Sequence, residues 1–261
     1  MKKVVVVTGG SSGIGKETVR LLRRKGCTVY ALSRHPEQEP FALACDVTDA
    51  DAAARCVESV LQKEGRIDVL INCAGFGISG ACEFTDNADA HRQLEVNLFG
   101  TVNMSKAVLP PMRENGGGRI VNISSVAAVV PIPFQTWYSI SKAAINTFTM
   151  ALANEVKRFG ISVCAVMPGD TKTGFTGARE ESLVGDDVYG GVISKSVEKM
   201  KKDETNGVPP QKVAALAVKA ALSGRVRPLY TCGFSYKLVV LLIRLLPSAL
   251  ANRLIGMLYA S

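Results

Sequence analysis

The sequence predicts an α/β fold, a doubly wound parallel sheet with helices on both faces. Three observations carry this. Short β-branched runs alternate with longer stretches of helical periodicity. The runs are apolar almost throughout, as strands covered on both faces must be. No repeat and no composition break divides the 261 residues, so one domain over 1–261 is expected. With 47% hydrophobic and 21% charged residues, the chain is neither disordered nor fibrous and can bury a sizeable core.

In chain order, the strand candidates are Val4–Thr8, Thr28–Ser33, Val69–Cys73, Gly118–Ser124, Ser162–Met167 and Val226–Thr231. Helical patterns lie between them, near Ile14–Lys25, Asp49–Glu64, Asp89–Pro110, Tyr138–Phe159 and Pro210–Ser223. The apolar run Val4–Val7 stops at Thr8-Gly9-Gly10, too short for the apolar core of a secretory leader, and reads as a buried strand. Asp170 to Pro210 is rich in Gly, Ser, Asp and Lys with weak periodicity, and is expected to be an irregular substrate lid. Seven scattered cysteines without a CxxC pair, and only His35 and His91, give no metal spacing. Reduced thiols and a cytoplasmic setting are expected.

The first strand runs into Thr8-Gly9-Gly10-Ser11-Ser12-Gly13-Ile14-Gly15, which opens a helix. Glycines let the backbone approach a diphosphate, and the helix N-terminus offers it unpaired N–H groups and partial positive charge. The second strand ends in Ser33-Arg34, where a carboxylate would otherwise accept hydrogen bonds from the ribose of NAD. A guanidinium there attracts a 2′-phosphate, so NADP(H) is expected in preference to NAD(H).

Further motifs follow in a consistent order. Asp46-Val47 comes between the second strand and the second helix, Asn72-Cys73-Ala74-Gly75 ends the next strand, and Asn97, Ser125, Tyr138 and Lys142 are spread over the middle of the chain. Pro168-Gly169, with Thr171 and Thr173 behind it, ends the strand after that. With the glycine loop, this set resembles the short-chain dehydrogenase/reductase family over residues 1 to about 175, and so implies a Rossmann-like fold. The resemblance implies a cofactor loop at Thr8, Gly9, Ser11, Ser12, Gly13, Ile14 and Gly15, and cofactor contacts from Ser33, Arg34, Asp46, Val47, Asn72, Ala74 and Gly75. It also implies a nicotinamide loop at Pro168, Gly169, Thr171 and Thr173. Cys73 stands where the family pattern carries a second asparagine, and a packed, unreactive thiol is expected there.

Tyr138 and Lys142 are four apart, on one helix face. A nearby ammonium favours phenolate, so Lys142 is expected to lower the Tyr138 pKa toward working pH and fit it for general acid/base work. Ser125, thirteen residues earlier, is expected to hydrogen-bond the same substrate oxygen; adjacent Ser124 is its rival, and the family spacing selects Ser125. The resemblance further implies that Lys142 binds the nicotinamide ribose and that Asn97 holds a water linking Lys142 to solvent.

The run Val126 to Phe134 and Trp137 beside Tyr138 suggest an apolar pocket wall, with Phe175 and Tyr189 as aromatic candidates from the lid. A hydrophobic ketone or aldehyde and its alcohol, steroid-, retinoid- or acyl-like, is the substrate class expected. Reduction of a 3-oxoacyl carrier-protein or acyl-CoA thioester is the alternative. A non-catalytic dinucleotide sensor would need the glycine loop but not the phenol.

Charge is the last signal. The chain carries +8, yet the final 57 residues hold seven Lys/Arg and no acid, leaving the first 204 nearly balanced. Lys237–Tyr259 is mostly apolar and broken by Arg244, Pro247 and Arg253, too short between charges to span a bilayer. Two short helices are expected in 233–261, with three readings: peripheral contact with a membrane surface, a cover for the pocket mouth, or a subunit interface. Interleaved leucines and few aromatics there disfavour nucleic acid. A homodimer or homotetramer is expected by the resemblance alone.

Overall fold

The structure, a computed structural model, describes residues 2–260. Five-residue β1 (Val4–Thr8) leads into α1 (Gly13–Arg24), β2 (Thr28–Ser33), β3 (Ala42–Ala44), α2 (Ala50–Glu64), β4 (Val69–Asn72) and β5 (Ile78–Ser79). Then come α3 (Asn87–Leu94), α4 (Gly100–Glu114), β6 (Gly118–Ile123), α5 (Thr136–Val156) and β7 (Ile161–Met167). The last part holds α6 (Phe175–Ala178), β8 (Glu180–Glu181), α7 (Val192–Thr205), α8 (Pro210–Leu222), β9 (Leu229–Thr231), α9 (Phe234–Leu245) and α10 (Ser248–Tyr259).

Seven strands form one parallel sheet in the order β3-β2-β1-β4-β6-β7-β9. The sheet winds outward both ways from β1–β4, and every strand delivers its carboxyl end to the same edge, where such folds place ligands. Val5, Val7, Ile71 and Val121 face one apolar layer with α1 and α8; Val4, Val6, Leu70 and Ile120 face the other with α2, α4 and α5. Central strands buried on both sides are what continuous valine and isoleucine runs encode.

Four elements depart from the sequence reading. The helix expected over Asp89–Pro110 is broken by a π-turn at Glu95–Phe99, then continues through Pro110 and Pro111 to Glu114. Burial of Met112, packed beside Gly118, outweighs the hydrogen bonds those prolines cannot make. The last strand starts at Leu229 rather than Val226, because Pro228 has no N–H for the ladder. β3 is a three-residue edge strand, too short to show a period. Within 170–210, expected to be irregular, α7 buries Ile193, Val197 and Met200 at helical spacing, a stripe diluted in the sequence by the lysines and glutamates around it.

Candidate active site

The carboxyl edge of the sheet collects the motifs. Ser33 pairs with Ala44 and Thr8 with Leu32, so Arg34, Asp46 and the glycine loop follow one another along that edge. Thr8 Oγ1 accepts hydrogen bonds from Cys73 N (3.1 Å) and Ala74 N (3.2 Å), binding the loop after β4 to the end of β1. Asn72 is buried and donates to Asn122 Oδ1 at 2.9 Å; it cross-links strands beneath the site.

A cavity of about 530 Å³ opens above these strand ends. It is lined by Gly9, Ser12, Gly13, Ile14 and Gly15 of the glycine turn, by Ala74, Gly75, Pro168, Gly169, Thr171 and Thr173, and by Ser125, Tyr138 and Lys142. A methyl group at Gly15 would come 2.1 Å from Gly9 O, so the turn closes only with glycine there. Ser12 precedes α1 without a side-chain cap, and no acid occupies the first turn, which leaves its N–H groups unclaimed. These features fit the diphosphate of a nicotinamide dinucleotide. Thr8, Ser11, Ser33, Arg34, Asp46, Val47, Asn72 and Asn97 do not line the cavity. Of these, exposed Arg34 lies beyond β2, and Asp46 closes its own turn by accepting from Thr48 N and Oγ1.

Both serines line the cavity, with different partners: Ser124 is buried and donates to Lys142 O (3.1 Å), whereas Ser125 hydrogen-bonds the Tyr138 phenol and accepts from Ala127 N (3.1 Å). Val126 N donates to Pro168 O (2.8 Å), tying the Ser125 turn to the loop after β7. Lys142 Nζ donates to Ile123 O at 3.0 Å and lies 5.6 Å from the centroid of the Tyr138 ring.

The expected activation of the phenol is corrected. Burial pushes Tyr138 up to about 12, with the Ser125 hydrogen bond opposing. Burial also takes Lys142 down to about 8, so the same dry environment that raises the phenol weakens the ammonium meant to lower it. At neutral pH Tyr138 is therefore a proton donor. Asn97 sits in the π-turn, a distortion frequent at functional sites. Its amide is committed: Oδ1 accepts from Phe76 N, and Nδ2 donates to Phe76 O and Ser141 Oγ, each at 3.0 Å. It pins the Gly75–Phe76 loop to α5. Burial pushes the Cys73 thiol up to about 12, which disfavours the thiolate.

The substrate end is less like the sequence reading. Val126, Ala127, Val130, Ile132 and Phe175 do line it, the Phe175 ring 5.7 Å from that of Tyr138. Trp137 does not, because on α5 it is turned away from its neighbour Tyr138. Tyr189 does not either: it donates to Glu83 Oε1 (2.7 Å) and packs edge-on against Phe84 and Phe134, fastening the segment before α7 to the body.

Instead the wall includes Asp170, Glu204, Tyr236, Val239, Leu258 and Tyr259. Tyr236 lies flat on Gly169, where a methyl group would come 2.2 Å from its ring; its hydroxyl accepts from Asp170 N (3.0 Å) and donates to Asp170 Oδ2 (2.6 Å). Glu204 accepts from Thr176 Oγ1 (2.6 Å) and from fully buried Arg179. Burial pushes both Asp170 and Glu204 upward, against these hydrogen bonds. No motif marks them. Asp170 follows Pro168-Gly169, and Glu204 is the last acid before the basic tail.

Comparison with known proteins agrees with this arrangement. The short chain dehydrogenase family model matches residues 3–183. A 3-ketodihydrosphingosine reductase of Bacteroides thetaiotaomicron is 43% identical over 222 residues, covering 83% of this chain and 82% of that protein. An acetoacetyl-CoA reductase of Allochromatium vinosum is 35% identical, covering 74% and 83%. A Burkholderia cenocepacia short chain dehydrogenase solved in complex with NADP superposes with a TM-score of 0.77 at 25% identity, covering 97% and 99%. With the glycine cradle and the Ser125–Tyr138–Lys142 cluster in one cavity, the chain belongs to the short-chain dehydrogenase family, oxidoreductases that bind a nicotinamide dinucleotide.

Proposed function

We propose that this oxidoreductase uses NADPH to reduce the ketone of a long-chain lipid bearing an amine beside the carbonyl, the class of 3-ketodihydrosphingosine. The observation that carries the reading is one cavity lined by the Tyr138 phenol, apolar side chains and two carboxylates, of which Glu204 is paired with Arg179 while Asp170 holds no ion pair among the described residues. A protonated amine would give Asp170 a cation to pair with, and an alkyl chain suits Val130, Val239 and Leu258. Bound NADPH supplies the hydride. Tyr138 Oη gives its proton to the carbonyl oxygen, and Ser125 Oγ hydrogen-bonds that oxygen as its charge develops. Lys142, protonated below about 8, favours the phenolate left behind.

NADP(H) preference is supported by Arg34, which no carboxylate pairs with among the described residues. Glu37 and Glu39 lie in the same loop but are held by Lys16 (2.5 Å) and Arg23 (2.9 Å). A second reading, reduction of a 3-oxoacyl thioester, is favoured by the acid-free tail and the acetoacetyl-CoA reductase relative. A thioester brings no cation to set against Asp170.

The test compares kcat/KM with NADPH for 3-ketodihydrosphingosine, its N-acetyl derivative and acetoacetyl-CoA. The free amine should be preferred over the neutral amide by about tenfold or more, the worth of one charge-assisted hydrogen bond. Asp170→Asn should erase that preference. Faster turnover of acetoacetyl-CoA than of the amino ketone would overturn the reading.

A further inference from the structure

α9 and α10 do two things at once. Their inner faces close the substrate end, with Tyr236 on Gly169 and Val240, Ala251 and Ile255 buried against the body. Their outer faces are also apolar. Phe234, Leu238, Leu241, Leu242 and Leu245 are all exposed and recur at helical spacing, a stripe that faces solvent where a core helix would turn it inward. Phe234 is 84% exposed and Leu245 72%, and Leu250 and Leu254 extend the stripe along α10. A contiguous exposed patch of this kind marks an interaction surface.

Two features name the partner. Lys237, Arg244 and Arg253 are the charges of these helices, all exposed, and residues 205–261 contain no acid. Leucines with cations and no anion complement an anionic lipid surface. Second, Val239 and Leu258 belong to the exposed surface and also line the cavity, so the mouth of the substrate site lies on the rim of the patch. No helix among the described residues is long and apolar enough to cross a membrane. Contact is therefore lateral.

We propose that α9 and α10 dock the protein on an anionic bilayer surface, apolar faces toward the acyl chains and cations among the headgroups, with the cavity mouth at that surface. A lipid ketone then enters the site without crossing water. Docking does not depend on which ketone is reduced, so it stands or falls separately from the proposed reaction.

The experiment is flotation of the full-length protein with vesicles of phosphatidylcholine alone or of phosphatidylcholine with phosphatidylglycerol. A Leu241→Glu/Leu245→Glu variant is run beside it, both substitutions being at exposed positions outside the cavity. The parent protein should float with the anionic vesicles, at least tenfold more than with the neutral ones, and added salt should release it. The variant should lose flotation while reducing a short water-soluble ketone at the parent rate, which shows it is folded. Equal flotation of parent and variant, or none with either vesicle, would overturn the proposal. So would a dimer seen by analytical ultracentrifugation that the double substitution dissociates without any vesicle binding by the parent, which would assign the face to a second copy.

Discussion

At the cofactor end the cavity is made of backbone. Gly9, Gly13 and Gly15 leave room, Thr8 and Asn72 clamp the strand ends from below, and the first turn of α1 presents its N–H groups. At the substrate end it is made of side chains from distant parts of the chain: Phe175 from α6, Glu204 from α7, Tyr236 from α9 and Leu258 from α10. The first end rests on the packed sheet, and the second on helices whose outer faces are open. Backbone recognition suits a ligand common to many enzymes, whereas side-chain walls can be exchanged without disturbing the sheet. Changes at the two ends should therefore differ in kind. Those at the cofactor end act on every ketone alike, and those at the substrate end discriminate among ketones.

The largest effect tests the hinge between the two ends. Tyr138→Phe should lower turnover of every ketone by about 10³-fold, the worth of a positioned general acid. NADPH binding, followed by its fluorescence, should be retained. A loss confined to the amino ketone would place Tyr138 with the substrate wall and break the comparison.

Arg34→Asp should weaken NADPH by about 10–100-fold, equivalent to one or two charge-assisted hydrogen bonds, and leave NADH use intact. The KM ratio of the two cofactors measures it. The change should be the same whichever ketone is supplied, in contrast to Asp170→Asn, which should act on the amine-bearing ketone alone.

The smallest effect is one of pH. Lys142 is buried with its pKa taken down to about 8, so it carries charge below that value and is neutral above. Tyr138, pushed up to about 12, stays protonated throughout. kcat/KM for reduction of a neutral short ketone should hold up to about pH 7 and fall, by up to about tenfold, as pH rises through 8. A profile flat from pH 6 to 10 would remove Lys142 from the proton step.

Much of the cofactor end was legible because its chemistry fixes residue type and local spacing together. A tight turn beside a diphosphate demands glycines right after a strand, and a phenol and ammonium on one helix face must be four apart. The choice of Ser125 over Ser124 needed the family spacing. In the structure the two differ in partner, Ser124 donating to Lys142 O and Ser125 hydrogen-bonding the Tyr138 phenol. Trp137 and Tyr189 misled because aromatic character says nothing about direction. One turns away from the cavity on α5, and the other fastens to Glu83. The lowered phenol misled because the four-residue spacing carries no information about burial, which dominates both pKa values.

The sequence by itself determined six of the sheet's seven strands, the glycine cradle, the phenol–ammonium pair and the two tail helices broken at Pro247. Each is a local pattern set by backbone sterics or helical period. It also located the charge excess in the tail. Only the tertiary structure decided that this tail both roofs the site and stays bare outside, and that Asp170 and Glu204 face Tyr138. These placements join residues far apart in the chain, Tyr236 and Asp170 being 66 positions apart, which no local period encodes; packing of α7, α9 and α10 over the sheet edge creates them.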